Sequence, residues 1–283
     1  MSPGPGSVAD SQLVAAPGRP EDQGWPQLAY LVLAVFAGPW TIWLSRIAQD
    51  HGLIGWHLPQ GLALWSISPA LALTVLSVGG RSGLRDLGDR LLRWRAPTWI
   101  YLVALGLPVV IAVGSAALVS GTGGDVPVGR LMSLPAALIY LGYGTGLFLL
   151  TEEAAWRGAL LPRVQDRLGP AGASLIIGAV WAAWHLPLVA NPAEHDRGLP
   201  VMPFLILIAA TSVLITGLVN AAAGSVVVAA VFHASFDASY SYVGVVGPGH
   251  AMLNVAAVLT TVTAAALLLV TDGRLLLTRE ARR

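Results

Sequence analysis

The chain has 283 residues, of which 55% are hydrophobic and 11% charged, with a mean hydropathy of +0.69 and a net charge of +1. Soluble domains carry about 25% charged residues, so this chain lacks the polar side chains to cover a globular surface in water. That excludes an ordinary soluble enzyme, a nucleic-acid binder and a disordered scaffold, and leaves a polytopic membrane protein. Cys is absent, which removes disulfides, thiolate metal sites and a cysteine nucleophile. Every basic residue is Arg.

In chain order, residues 1–26 are rich in Pro and Gly, lack apolar periodicity and read as a disordered cytoplasmic tail. They lack a signal-peptide pattern, so the first span is expected to be an uncleaved anchor; Ser2 breaks the myristoylation pattern. Eight stretches have about the 20 apolar residues that a bilayer-spanning helix needs: 27–45, 59–79, 98–120, 132–153, 171–190, 201–221, 224–243 and 251–271. An all-α bundle of about eight transmembrane helices is therefore expected, as a single domain over 27–272, followed by a basic tail at 273–283. Between the second and third spans, 81–96 places Leu84, Leu87, Leu91 and Leu92 at helical spacing among arginines, the pattern of a helix lying on the membrane surface. The shorter stretch 158–168 has a similar pattern.

Eight spans put both termini on one side. With that side cytoplasmic, 13 arginines lie inside and only Arg46, Arg130 and Arg197 outside, as the positive-inside rule requires. The expected location is a bacterial cell membrane, with membrane lipid as a partner and no nucleic acid. Tryptophans near span ends, Trp25, Trp40, Trp43 and Trp99, read as interfacial belts. The loop 191–200, carrying Glu194, His195 and Asp196, reads as a solvated turn on the outer side. His51, His57 and His250 read as solvated.

Ionisable residues inside a bilayer are costly and mark function. They occur in three places: Glu152, Glu153 and Arg157 at the inner end of the fourth span, His185 in the fifth, and His233 and Asp237 in the seventh. Glu153 and Arg157 are four apart, as are Trp181 and His185, and His233 and Asp237, so each pair shares a helix face. Glu152 points about 100° away from Glu153, so one carboxylate holds Arg157 while the other faces a cavity. A glutamate with two histidines and an aspartate suits hydrolysis by activated water. Glu152 would be the base and His185 would position water, with His233 and Asp237 polarising the scissile carbonyl. In that last place Asp237 must be protonated or act through His233. That route needs no cofactor. The alternative is zinc held by Glu152, His185 and His233. A non-catalytic scaffold or immunity-type protein and a proton-coupled transporter are the competing readings. The absence of an internal repeat speaks against the transporter.

These residues resemble the CAAX prenyl protease type II and bacteriocin-processing family of intramembrane endopeptidases, also called abortive-infection-like proteins. Its first motif stands as Glu152, Glu153 and Arg157, followed by Gly158; its second as Trp181 and His185; its third as His233 and Asp237. The resemblance covers about 130–240. It implies a helical membrane bundle with a cavity open toward the cytosol and a peptide or protein substrate at the cytoplasmic leaflet. It also implies peptide-bond hydrolysis in which Glu152 and His185 activate water and His233 and Asp237 serve the oxyanion. Members are described both as metalloproteases and as metal-free glutamate proteases. Asp237 stands where the eukaryotic enzymes, which cleave prenylated CAAX tails, have Asn.

Overall fold

The structure, a computed structural model, describes residues 24–194, 196–247 and 250–276. The tail expected at 1–26 lies outside these but for its last three residues, as do His195 and most of the 273–283 tail. All regular elements among the described residues are helical. They are α1 (Trp25–Asp50), α2 (Ile67–Leu91), α3 (Thr98–Gly121), α4 (Leu134–Leu150), α5 (Leu161–Trp184), α6 (Leu186–Ala190), α7 (Val201–Ala221), α8 (Val226–Val243) and α9 (His250–Val270). Seven helical stretches are long and apolar enough to cross a membrane, and α4 is a shorter apolar helix beside them. The protein is an integral membrane helical bundle.

Helix ends follow local chemistry. Ser133 caps α4 by accepting the Ala136 N–H, and Ser225 caps α8 by accepting the Val228 N–H. Gly244, at φ 89°, closes α8 in the left-handed conformation that glycine adopts freely. Gly80 (φ 60°) and Gly169 (φ 68°) break α2 and α5 internally. Each break separates a crossing segment from a surface segment. In 81–91 Leu87 is buried while Arg81, Arg85, Asp86 and Asp89 are exposed, the amphipathic pattern expected from the sequence; the helix stops at Leu91 and leaves Leu92 exposed.

Two groups of contacts define the two ends of the bundle. At one end Arg93 donates to the Ala223 carbonyl and Ser225 donates to the Arg93 carbonyl. There the Asn220 amide reaches Gln165 Oε1 at 2.9 Å and the Leu275 carbonyl at 3.1 Å. At the other end the Asn191 amide donates to Gln60 at 2.9 Å, Arg197 pairs with Asp50 at 3.3 Å, and the Gly129 N–H bonds the Tyr242 carbonyl at 2.7 Å. Arg81, Arg85, Arg90, Arg93, Arg95, Arg163, Arg167 and Arg274 belong to segments at the first end; Arg46, Arg130 and Arg197 belong to the second.

The outward surface is apolar, with Leu33, Leu73, Leu102, Val110, Ile139 and Leu269 exposed where lipid would lie. Lipid tails give no hydrophobic drive for helix association, so close packing must hold the bundle. Small residues supply it between α5 and α7, where Ser212 donates to the Ser174 carbonyl at 3.2 Å. A Cβ on Gly178 would stand 2.9 Å from the Ala209 carbonyl oxygen and 3.0 Å from the Ser212 Cβ.

Three expectations need correction. The second span is not one helix: residues 60–66 form two 3₁₀ turns after Pro59, and α-helix begins only at Ile67. Trp40 and Trp43 do not join an interfacial belt. Trp43 is buried edge-on to Trp184 with ring centroids 4.7 Å apart, and Trp40 donates its indole N–H to the Trp184 carbonyl. Trp25 and Trp99 remain exposed. The fourth span ends early, at Leu150, with Thr151 at φ −117° and ψ −95°.

Gly178→Val is expected to force α5 and α7 apart and to destabilise the bundle by about 1–3 kcal/mol, the usual cost of overpacking. Thermal unfolding in detergent, against a Gly106→Val control where a Cβ meets nothing within 4 Å, checks this.

Candidate active site

The site begins at the break after α4. Glu152 and Glu153 follow Thr151, and residues Ala154–Leu160 form a π-helical segment that leads into α5. Extra residues per turn are a common feature of functional helices, because they turn side chains away from α-helical register. Every residue of the segment is buried. Glu153 Oε1 accepts from Arg157 Nη1 at 2.9 Å, and both side chains are fully buried. The Arg157 guanidinium carbon lies 4.3 Å from the centroid of the Trp181 ring. Arg157 Nε and Nη2 and Glu153 Oε2 have no protein partner.

The division of labour expected for the two glutamates holds: Glu153 pairs with Arg157, and Glu152 lines a cavity. The Trp181 indole N–H donates to Glu152 Oε2 at 2.9 Å. The same residue's backbone carbonyl accepts from His185 Nδ1 at 2.8 Å. A carbonyl only accepts, so Nδ1 carries the proton and Nε2 of the neutral ring bears the lone pair. Trp181 also meets the rings of His185 and His233, with centroids 5.5 and 5.3 Å away.

His185 sits at a break rather than within a helix. α5 ends at Trp184 and α6 begins at Leu186. Pro187 explains the break, since its ring cannot donate and crowds the carbonyl four residues earlier. His233, on α8, points Nδ1 at Glu153 Oε1, 2.8 Å away, and stacks on Phe148 with centroids 3.7 Å apart. A carboxylate only accepts, so here too Nδ1 is the donor and Nε2 is the remaining nitrogen.

The alternative in which Asp237 acts through His233 has no direct bond behind it, and each side chain bonds a different residue. Glu153 is the partner of His233, and Asp237 Oδ2 accepts from the Tyr140 hydroxyl at 3.1 Å. A spacing of four puts the two on one helix face, but both side chains reach across to α4 and the residues after it. Tyr140 was not singled out from the sequence. One tyrosine in an apolar span gives no signal until its partner on another helix is known.

Glu152, His185, His233, Asp237, Tyr140 and Trp181 all line one cavity of about 290 Å³. Its walls add Trp43, Trp65, Tyr143, Phe148, Phe204 and Phe236. Gln60, Glu194 and Asp196 line it too, so the 191–200 loop borders the cavity rather than lying remote from it.

Glu152, His185 and His233, the set named for zinc, line the cavity without being drawn together into a ligand cluster. Among the described residues no group of three or more His, Asp and Glu side chains could hold a metal ion. Glu152 Oε2, His185 Nδ1 and His233 Nδ1 are each engaged by protein groups.

With this geometry in place, one comparison bears on the motif-bearing region. Residues 132–239 match the family model of type II CAAX prenyl endopeptidase, Rce1-like. The match starts just before α4 and ends two residues past Asp237, so this Rce1-like stretch holds all three motifs and Tyr140. It leaves α1, α2, α3 and α9 outside. The family suggests an intramembrane endopeptidase, with a peptide or protein as substrate. No curated protein matches the chain.

Trp181→Phe keeps an aromatic face for Arg157 but removes the N–H from Glu152. It is expected to lower proteolysis sharply while shifting thermal stability little. Glu153→Gln is expected to do the reverse in order of severity: it leaves Arg157 buried without a counter-charge, a loss of about 3–5 kcal/mol. Paired activity and unfolding measurements on the two variants check the contrast.

Proposed function

We propose that the protein is an intramembrane endopeptidase of the metal-free, glutamate type, acting on a membrane-associated protein or peptide. The observation that carries this reading is the shared clamp of Trp181 on Glu152 and His185 at the wall of a cavity that His233 and Asp237 also line. The host membrane is a bacterial cell membrane, with the arginine-rich end of the bundle facing the cytoplasm.

The proposed chemistry follows from the partners. A water between Glu152 and His185 gives its proton to the Glu152 carboxylate as its oxygen attacks the scissile carbonyl carbon. The indole N–H fixes the orientation of that carboxylate, and the lone pair on His185 Nε2 accepts the second water hydrogen. Charge then develops on the carbonyl oxygen. His233, with Nδ1 bonded to the Glu153–Arg157 pair, presents Nε2–H to that oxyanion in its protonated form. Collapse of the tetrahedral intermediate breaks the C–N bond, and Glu152 returns the proton to the leaving amine. Asp237 is positioned by Tyr140 rather than by His233, and it serves the oxyanion only as a protonated donor.

Glu152→Gln keeps the shape and the Trp181 contact but cannot take the proton. It is expected to abolish cleavage, a loss of about 10²–10⁴-fold for a general base, with folding intact. Asp237→Asn supplies a neutral amide, so activity is expected to persist if Asp237 donates a hydrogen bond. Tyr140→Phe is expected to reduce kcat in the Asp237 protein and to matter less in the Asp237→Asn background. Full proteolysis by Glu152→Gln would end the role of Glu152 as base, and full biological activity of that variant without any proteolysis would end the protease reading.

A further inference from the structure

From Glu152 the cavity lining extends toward one end of the bundle, and that end is not the one carrying most of the arginines. Below Glu152 lies the π segment Ala154–Leu160, all buried, with Trp156, Leu160 and Leu161 among the most enclosed side chains. None of these lines the cavity. Val226, Val228 and Ala229 of α8 are equally buried on the same side. Leu87 of the surface segment closes over Gly158, where an added Cβ would lie 2.6 Å from Leu87 Cδ1. In the other direction the lining passes Tyr140 and Tyr143 to Gln60, Gly61, Leu188, Glu194, Asp196, Ser241 and Val246. These belong to the connections at the end defined by the Asn191–Gln60 and Arg197–Asp50 contacts.

Charge then orients the bundle. Of the described arginines outside the site, Arg46, Arg130 and Arg197 belong to segments at the cavity end, and the other eight belong to the packed end. Arginine is retained on the cytoplasmic side of a membrane, so the packed end faces the cytoplasm. This orientation contradicts the expectation of a cavity open toward the cytosol. Both features of that expectation, cytoplasmic termini and a cytoplasmic mouth, cannot hold in one molecule with this topology.

We infer that substrate and water reach Glu152 from the non-cytoplasmic face. This rests on the protease reading and narrows it. The substrate class is a polypeptide segment displayed on the outer side of the membrane, entering with an apolar residue against Trp65, Tyr143, Phe204 and Phe236. A cytoplasmic prenylated tail lies on the wrong side of the packed end.

The absence of native cysteine makes the test direct. Gly61→Cys lies exposed on the cavity lining, where a Cβ meets nothing within 4 Å; Ser241→Cys lies on the same lining at a buried position; Asp89→Cys lies exposed at the packed end. Intact cells expressing each variant are treated with a charged, membrane-impermeant maleimide, then again after permeabilisation. The expected result is labelling of Gly61→Cys and Ser241→Cys in intact cells and loss of Asp89→Cys labelling until the membrane is opened. Labelling of Asp89→Cys but not Gly61→Cys in intact cells overturns the inference. So does failure of Ser241→Cys to label from outside while Gly61→Cys labels, because the cavity would then be closed to that face. A second arm compares new protein termini in cells expressing the wild type and Glu152→Gln. Differences confined to outer segments are expected. Differences in cytoplasmic segments overturn the access inference alone, and no difference at all overturns the protease reading while the labelling still reads the side of access.

Discussion

A single buried guanidinium organises the site. Arg157 cannot lose its charge, and an unpaired charge in a dry interior costs several kcal/mol even after relaxation. Its neutralisation dictates where three helices meet. Glu153 must lie within hydrogen-bond reach, and it does so at 2.9 Å from one turn away. The remaining face of the guanidinium is covered by Trp181, which ties α5 to the segment before it. The same Glu153 oxygen then receives His233 from α8. Charge compensation therefore brings together the three motif-bearing regions before any substrate is considered.

The π segment makes this compatible with a free working carboxylate. In a regular α-helix running from α4 through 168, two adjacent glutamates would project about 100° apart into whatever neighbours α4 already had. The break at Thr151 and the wider turns that follow detach Glu152 and Glu153 from the register of α4. Glu153 turns inward to the ion pair and Glu152 to the indole and the cavity. Small residues allow it: Ala154, Ala155, Gly158 and Ala159 leave room for Trp156 and Arg157 within the segment and for Leu87 from outside.

Much of this was legible in the sequence because the relevant forces are local. Apolar runs of membrane length, the amphipathic pattern of 81–96 and the Glu153–Arg157 pair all rest on periodicity or on a spacing of four. The meeting of three motifs was legible by economy, since polar groups in a bilayer need one another. The missing parts depend on contacts between distant helices. His233 chose Glu153 over Asp237, and Asp237 chose Tyr140 on α4, because the helices cross at those heights. The 3₁₀ turns at 60–66 and the burial of Trp43 likewise come from the way α1 and α2 wrap the cavity wall. The side on which the cavity opens required both the topology and the lining.

The packed floor has one more consequence. Hydrolysis within a bilayer needs water at a depth from which lipid excludes it, and a chamber open at both ends would short-circuit the membrane. Here the chamber stops at Trp156, Leu160 and Val226. Under the outward access inferred above, water in that chamber would belong to the outer aqueous phase, and the transmembrane voltage would fall mainly across the packed layer beneath Glu152. Such a chamber can turn over in an energised cell without dissipating its ion gradients.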